Sequence, residues 1–359
     1  MMSQSTVRVL VVDDSRSARA LIRALIEASP GLTVCGEAEN GREAVAKTMA
    51  LSPDIVTMDL QMPEMDGMRA IEEIMAQHAV PILVLSDLAD AHNAMAAVAR
   101  GALEAAGKPS FDEGAGLVAR LRTLAKVRVI RHIRCGGALV PRLGAHAWPG
   151  PIPIDAKSVA GAVPPALVAI ASSTGGPQAL ARLLPALPED FPAPVLIAQH
   201  ISDGFATAMA EWLNDLCPLQ VTLAREGETP RPGCVYLADS LTDMTLGAGG
   251  RIRLLSRAAT DFYRPSCDRL LTSVAAQHGA RAVAVILTGM GRDGANGMVA
   301  VRRAGGATIA QDEASSLIFG MNREAIRVGG VQWVLPLDLI AGELLALTAP
   351  RRAAAACTP

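Results

Sequence analysis

An apolar run ends abruptly at a pair of serines in the stretch VAIASSTGGPQAL, residues 168–180. Two glycines, a proline and a helix-like segment follow, so the stretch could be a phosphate-binding loop, a nucleophile on a sharp turn or a helix N-cap. It lacks the lysine of a Walker loop and the glycine spacing of a dinucleotide fingerprint. A serine nucleophile and a simple N-cap therefore remain as interpretations.

Ser173 is the better nucleophile of the two serines. A nucleophile on a tight strand-to-helix turn needs small residues two positions to either side, because larger side chains would clash. Ser173 has Ala171 before it and Gly175 after it, whereas Ser172 would have Thr174 at the second position. Alanine in place of the usual first glycine is a modest departure that its small size tolerates.

A serine nucleophile needs a base and an acid that orients the base. His200 closes the apolar run PVLIAQH, and Asp293 lies on the glycine-rich loop after AVAVILTG. A structural histidine and an Asp-Gly turn are the alternatives for these two residues. The glycines of TGMGRDG could turn backbone N–H groups toward an oxyanion. The chain order Ser, His, Asp differs from the orders in α/β-hydrolases, chymotrypsin and subtilisin, which favours a separate fold with convergent chemistry.

A second group of polar residues follows strand-like runs in the first half of the chain. Asp13 and Asp14 follow VRVLVV, Asp59 ends DIVTMDL, Ser86 ends PILVLS, and Lys108 precedes a proline. Any single acid here could be a helix N-cap. Together, clustered carboxylates need a cation, and their hard oxygen atoms suit Mg²⁺. A metal-neutralised Asp can then attack a phosphoryl donor, with the amine and hydroxyl binding the new phosphate oxygens.

Short apolar runs alternate with helical patterns in both halves of the chain, which predicts two α/β domains with parallel sheets and helices on both faces. In such sheets functional groups collect at the carboxyl ends of the strands, where the residues above are found. A Pro- and Gly-rich stretch interrupts the alternation and predicts an interdomain linker at 125–165. The last residues, 351–359, are interpreted as a frayed tail.

Composition narrows the function classes. The formal net charge of −2 gives no electrostatic reason to expect nucleic acid or an acidic membrane as a partner. The six cysteines form no CxxC pair, which argues against a zinc site and a disulfide framework. No signal peptide and no apolar run of about 18 residues is present, so we expect a cytoplasmic protein without membrane insertion.

The first half resembles the two-component receiver domain over roughly residues 7–124, with VVDDS, MDLQMPEMDG, LS and KP in register. The resemblance implies a flavodoxin-like domain at 1–124, with a doubly wound five-stranded parallel sheet. It implies Asp59 as the phosphoacceptor, Asp13, Asp14 and Asp59 as Mg²⁺ ligands, Ser86 as the switch hydroxyl and Lys108 as the phosphate lysine. Receivers often carry an acid and an aromatic before the lysine, where this chain has Glu104, Ala105 and Ala106.

Residues 166–348 resemble the catalytic domain of chemotaxis protein-glutamate methylesterases through the blocks ASSTGG, IAQHIS, YRPSCD, LTGMGRDGA and AQDEASSLIFGMNREAI. The resemblance implies a doubly wound α/β catalytic domain at 166–350. It implies Ser173, His200 and Asp293 as the catalytic triad, and Thr174 and Met290 as residues of the oxyanion and substrate loops. Asn322 stands where we expect a proline.

The two resemblances together imply a response regulator that demethylates glutamate methyl esters and deamidates glutamines on methyl-accepting chemoreceptors. A sensor histidine kinase of the CheA type would be the phosphodonor, Mg²⁺ the receiver's cofactor, and the esterase would need none. The alternatives are a receiver-controlled transcription factor and a non-catalytic binding module. A transcription factor would carry a basic helix-turn-helix output, which the strand-rich second half does not offer.

Overall fold

The computed structural model describes residues 6–110, 114–127, 129, 167–258 and 263–349. The predicted linker lies almost entirely outside these residues, and the predicted tail lies wholly outside them. The bounds of the linker, the bounds of the two domains and the tail therefore stay predictions.

The described residues form two compact units. One contains residues 6–129 together with 202–209, and the other contains 167–201 and 210–349. Each unit is built around its own parallel sheet, as the alternation of apolar runs and helical patterns predicts.

The first sheet has five parallel strands in the order β2-β1-β3-β4-β5. The strands are β1 (Val7–Val12), β2 (Leu32–Ala38), β3 (Ile55–Met58), β4 (Ile82–Ser86) and β5 (Glu104–Gly107). The helices between and after them are α1 (Arg16–Glu27), α2 (Gly41–Leu51), α3 (Gly67–Gln77), α4 (Ala91–Ala99) and α5 (Gly114–Leu124). This is the flavodoxin-like order, and its switch point lies between β1 and β3.

Polar caps start the first three helices of this unit. The side chains of Ser15, Asn40 and Asp66 each accept a hydrogen bond from the backbone N–H three residues later. Each cap satisfies one of the N–H groups that a helix start leaves without an intrahelical partner. The helices therefore begin one residue after each cap.

The second sheet has seven strands in the order β14-β13-β12-β6-β7-β9-β8, and its neighbours pair in parallel. They are β6 (Leu167–Ser172), β7 (Val195–Gln199), β8 (Gln220–Leu223), β9 (Cys234–Leu237), β12 (Ala282–Ile286), β13 (Ala307–Gln311) and β14 (Trp333–Leu335). An antiparallel hairpin joins β10 (Thr242–Leu246) to β11 (Ile252–Ser256) outside this sheet. The apolar patterns do not predict this hairpin, because its two strands carry polar side chains.

Six helices accompany the second sheet. They are α6 (Gly176–Leu183), α7 (Ala206–Leu216), α8 (Cys267–His278), α9 (Ala295–Arg303), α10 (Met321–Arg327) and α11 (Leu337–Thr348). Every residue of β6 is buried, as a central strand covered on both faces requires. One hydrophobic core joins alternate residues of β6 to apolar residues of α8, α9 and α10. The predicted doubly wound α/β class is confirmed.

Candidate active site

Three neighbouring strands bring the candidate catalytic residues to one edge of the second sheet. The central strand β6 pairs with β7 on one side and with β12 on the other, so the strand order reverses beside β6. Ser173 follows β6, His200 follows β7, and Asp293 lies in the loop after β12. The site thus lies at the carboxyl ends of the strands, at the switch point where α/β sheets bind ligands.

The turn that carries Ser173 depends on two glycines. Gly175 has a φ of +79°, and a Cβ there would lie 2.6 Å from Leu317 Cβ. A Cβ on Gly176 would lie 1.9 Å from Gln199 Oε1. Both positions therefore exclude a side chain, and α6 can begin directly behind the serine.

Ser172 has a different partner from Ser173. Its hydroxyl donates to Gln199 Oε1 at 2.6 Å, and the residue is wholly buried. Gln199 Nε2 donates in turn to the carbonyls of Ser173 and His200, at 2.8 and 2.7 Å. Gln199 therefore couples the strand ends that carry the serine and the histidine, while Ser173 is left facing the imidazole.

The three predicted catalytic side chains are hydrogen bonded in series. His200 Nδ1 lies 3.1 Å from Ser173 Oγ, and His200 Nε2 lies 2.8 Å from Asp293 Oδ2. A carboxylate only accepts hydrogen bonds, so its contact assigns the imidazole proton to Nε2. Nδ1 then carries a lone pair directed at the serine hydroxyl, which is the arrangement that a general base requires.

Asp293 is anchored at the start of α8. Oδ2 accepts from Cys267 N at 2.7 Å, and Oδ1 accepts from the N–H groups of Asp268 and Gly294 at 2.9 and 3.1 Å. Burial acts to raise the pKa of Asp293, but the hydrogen bonds from His200 and from the helix N–H groups outweigh it and hold the pKa below its usual value. The carboxylate therefore stays charged next to the imidazole, as the positive end of a helix favours.

Two further residues contact the imidazole without having been predicted. Cys267 is fully buried, and its Sγ lies 3.6 Å from His200 Nε2 and donates to Ala198 O at 3.3 Å. Burial, followed by the charge of Asp293, raises the pKa of this thiol well above its usual value. Tyr263 stacks on the His200 ring with a centroid separation of 5.2 Å and an interplanar angle of 14°.

The predicted oxyanion loops flank the serine. Thr174 follows Ser173 directly, and its carbonyl accepts from Thr288 Oγ1 at 3.0 Å. Met290 is 54% exposed in the loop after β12. Gly289 donates its N–H to Ile318 O and Gly294 to Asp293 Oδ1, so neither glycine offers that group to an oxyanion. The roles of Thr174 and Met290 remain predictions.

The first sheet gathers the other set of predicted residues. Lys108 Nζ lies 2.9 Å from Asp59 Oδ2 and 3.0 Å from Asp13 Oδ2. Burial raises the pKa of Asp59; Lys108 opposes this shift and the charge of Asp13 adds to it. Burial acts to lower the pKa of Lys108, but the hydrogen bond that Nζ donates to Asp59 and the negative charges of Asp59 and Asp13 raise it overall. Ser86 is buried at the end of β4, and its carbonyl accepts from Lys108 N at 3.2 Å.

The three acids of this set fit a hard divalent cation. Asp13, Asp14 and Asp59 each offer a carboxylate oxygen within 4.8 Å of the others. Asp13 Oδ2 is buried and accepts no well-aligned hydrogen bond, although Lys108 Nζ lies near it. One lysine does not balance three carboxylates, so the donor set suits Mg²⁺.

The chain departs from the two family patterns at the alanines before Lys108 and at Asn322, and the structure shows the surroundings of both positions. Ala105 and Ala106 are buried in β5, where no aromatic ring is present. Asn322 is wholly buried in the first turn of α10, and its Nδ2 donates to Ile286 O at 3.2 Å and Gln311 O at 2.8 Å. This side chain joins the ends of β12 and β13.

A receiver-type sheet with an acidic cluster at its strand ends, together with an α/β domain that carries a Ser–His–Asp arrangement, defines the class: a response regulator with a hydrolase domain. Family models agree: the response regulator receiver domain matches residues 9–121, and the CheB methylesterase matches residues 168–344. The chain belongs to the protein-glutamate methylesterase/protein-glutamine glutaminase family.

Sequence similarity to relatives covers nearly the whole chain. Protein-glutamate methylesterase/protein-glutamine glutaminase 3 of Paramagnetospirillum magneticum is 48% identical over 97% of this chain and 98% of its own length. The corresponding protein 2 of Anaeromyxobacter dehalogenans is 44% identical over 95% of this chain and 97% of its own. The crystal structure of the Thermotoga maritima CheB methylesterase catalytic domain matches with a TM-score of 0.50 and 37% identity, covering 52% of this chain and all of that one.

Among the described residues, no helix is long and apolar enough to cross a membrane.

Proposed function

We propose that this chain is a phosphorylation-regulated serine hydrolase that demethylates glutamate methyl esters, and deamidates glutamines, on chemoreceptors. The observation that carries the proposal is the continuous hydrogen-bonded series Ser173–His200–Asp293, with contacts of 3.1 and 2.8 Å. The names of the full-length relatives support the substrate class. The substrate would be presented on the cytoplasmic helices of methyl-accepting receptors.

The proposed reaction is acyl transfer through Ser173. Its Oγ attacks the ester carbonyl while His200 Nδ1 takes the hydroxyl proton, and Asp293 stabilises the imidazolium. The tetrahedral oxyanion collapses, the imidazolium returns the proton to the leaving methoxide, and methanol departs. Water then attacks the acyl-enzyme with His200 again as base, which frees the glutamate carboxylate and restores the serine. Glutamine follows the same route with ammonia as the leaving group.

Thr174 and Met290 are proposed to act at the oxyanion. Both lie in loops beside Ser173, one directly after it and the other after the adjoining strand β12. Removal of one hydrogen-bond donor to the developing oxyanion typically lowers kcat about 10²–10³-fold. Met290 is also proposed to contact the substrate through its exposed apolar side chain.

Asp59 is proposed to accept the phosphoryl group from a histidine kinase of the CheA type, with Asp13, Asp14 and Asp59 holding Mg²⁺. When bound, Mg²⁺ neutralises the clustered carboxylates and polarises the phosphoryl donor. Lys108 would contact the new phosphate oxygens, and Ser86 would approach them from β4. Asp59→Ala should abolish uptake of label from a small phosphodonor. If Asp59→Ala were still labelled, a residue other than Asp59 would be the phosphoacceptor.

The unphosphorylated receiver is proposed to restrain the esterase. A chain lacking residues 1–150 should then show higher basal activity on intact receptor than the full chain. Equal rates would make the receiver a docking or activating module.

The decisive experiment for the hydrolase is labelling with a fluorophosphonate probe alongside methanol release from methylated receptor. Ser173→Ala should lose both signals, whereas Ser172→Ala, the matched control, should keep the label. Label and activity retained in Ser173→Ala, together with their loss in Ser172→Ala, would refute the choice of nucleophile. A wild-type chain that takes no label would favour the non-catalytic binding module.

A further inference from the structure

Cys267 is a buried thiol beside the imidazole that the proposed reaction does not use. Its Sγ lies 3.6 Å from His200 Nε2, and Nε2 lies 2.8 Å from Asp293 Oδ2. One donor atom from each of the three residues lies within 4.8 Å of the other two. Sulfur, imidazole nitrogen and carboxylate oxygen are the three donor types that Zn²⁺ takes in proteins.

We propose that His200, Cys267 and Asp293 form an inhibitory binding site for Zn²⁺ or a similar borderline-soft divalent ion. Bond lengths of about 2.0 Å to nitrogen and oxygen and about 2.3 Å to sulfur place tetrahedral ligand atoms about 3.3–3.5 Å apart. The S···N separation of 3.6 Å already fits this spacing. The N···O separation of 2.8 Å has to open by about half an ångström.

Three protein ligands leave a fourth position for water. The burial of the three side chains sets the path of entry: Cys267 and Asp293 are buried, and the His200 side chain is 15% exposed. An ion therefore enters past the imidazole ring, which has to shift to open the carboxylate contact.

The consequence for the reaction follows from proton positions. The metal takes the Nε2 lone pair, so the neutral imidazole carries its proton on Nδ1, and the Cys267 thiol proton leaves to solvent. Nδ1–H then points at Ser173 Oγ as a donor and cannot accept the hydroxyl proton. Inhibition, which rests on the proposed function, should be reversible by a chelator. Metal binding itself does not depend on that function.

The all-carboxylate donor set of the receiver unit and the mixed donor set around Cys267 should select different ions. Asp13, Asp14 and Asp59 offer oxygen atoms alone and suit Mg²⁺, whereas the set around Cys267 includes a thiolate and suits Zn²⁺, Co²⁺ or Cd²⁺. Mg²⁺ in excess should therefore occupy the first set without inhibiting the esterase.

The binding test uses the full chain with excess Mg²⁺ and Co²⁺ as the probe ion. Thiolate ligation gives Co²⁺ a near-ultraviolet charge-transfer band, which we expect in wild type and in the control Cys217→Ala. That control removes a different free thiol, which lies directly after α7 and outside the proposed site. Cys267→Ser and Cys267→Ala should lose that band. Serine is nearly the size of cysteine, so Cys267→Ser keeps the comparison valid if the alanine variant folds poorly. Equal bands in wild type and Cys267→Ser would overturn the proposal.

The inhibition test measures hydrolysis of receptor methyl esters against Zn²⁺ concentration, with each variant normalised to its own rate in chelator. Loss of a ligand should raise the half-inhibiting Zn²⁺ concentration at least about tenfold in Cys267→Ser relative to wild type and Cys217→Ala. Identical inhibition of all three would also overturn the proposal. Because the Co²⁺ band needs no turnover, a wild-type chain with the band and no esterase would refute the proposed function and leave the metal site standing.

Discussion

Replacing Asp293 by Asn tests how the triad is held together. Oδ2 accepts from His200 Nε2 at 2.8 Å and Cys267 N at 2.7 Å, and Oδ1 accepts from Asp268 N at 2.9 Å and Gly294 N at 3.1 Å. An amide has one acceptor oxygen and one NH₂ group. In either orientation of Asn, the NH₂ group faces N–H donors, so the variant cannot reproduce the contacts.

The imidazole can relieve one of these clashes only by changing its tautomer. With the Asn NH₂ opposite Nε2, the ring carries its proton on Nδ1 and can no longer accept from Ser173. We expect kcat to fall about 10³–10⁴-fold, or about 4–5.5 kcal/mol in activation free energy. Loss of hydrogen bonds to a charged acceptor should lower the free energy of unfolding by about 1–3 kcal/mol.

The assay is methanol release from methylated receptor, with urea unfolding of the same samples. Asp268→Asn is the matched control, because its carboxylate accepts from Gly297 N at 2.7 Å and Asn296 Nδ2 at 3.1 Å at the same helix start. The control should stay within about fivefold of wild type. A wild-type rate in folded Asp293→Asn would make Asp293 a turn residue and refute the reasoning.

The same variant predicts a pH dependence of stability. The pKa of Asp293 is lowered in the folded chain, so its stabilising contribution is present above the unfolded pKa of about 3.9 and is lost as pH falls below it. The stability difference between wild type and Asp293→Asn should therefore shrink on acidification below about pH 4. A difference that grows in acid would contradict the direction of the shift.

Three further outcomes are expected. Tyr263→Ala should lower kcat about two- to fivefold, because the stacked ring holds the imidazole in position between Ser173 and Asp293, whereas Tyr263→Phe keeps the ring and should not lower it. Mg²⁺ should raise the melting temperature of the wild-type chain and leave that of Asp13→Asn unchanged, as measured by calorimetry, since only a ligand of the folded state stabilises it. Asn322→Ala should lower the free energy of unfolding by about 1–3 kcal/mol in urea through loss of two buried hydrogen bonds; an unchanged midpoint would show that its contacts are dispensable.

The sequence predicts most of the fold and the positions of the triad, for one physical reason. Strands buried on both faces appear as continuous apolar runs, and the polar residues that end them must meet at one edge of a parallel sheet. Ser173, His200 and Asp293 follow such runs, and the structure brings them within hydrogen-bonding distance. Asp13 and Asp59 meet Lys108 for the same reason.

The residues that the sequence misses occupy positions with no such signal. Cys267 and Tyr263 precede or begin a helix far along the chain from His200, so only tertiary folding places them beside it. Gln199 is the last residue of β7, and nothing in the sequence indicates that its amide links two neighbouring backbones. The YRPSCD block resembles a family block in the sequence, but its part in holding Asp293 is visible only in the hydrogen bond that Cys267 N donates to the carboxylate.

The two sites differ in electrostatic balance, and this difference predicts how control is exerted. Asp59 is buried beside Asp13, and burial together with the charge of Asp13 raises its pKa, so a cation among these carboxylates would favour their charged forms. The hydrogen-bonded series Ser173–His200–Asp293 is built from residues of the second unit alone. Phosphorylation therefore need not assemble the triad, and we expect it to act on the entry of the large substrate.

A small phosphodonor with Mg²⁺ should then speed demethylation of intact receptor several-fold while the rate of Ser173 labelling by a small fluorophosphonate stays within about twofold. Asp59→Ala, treated identically, should show neither change. Equal acceleration of receptor and small probe would mean instead that phosphorylation realigns Ser173 and His200 themselves.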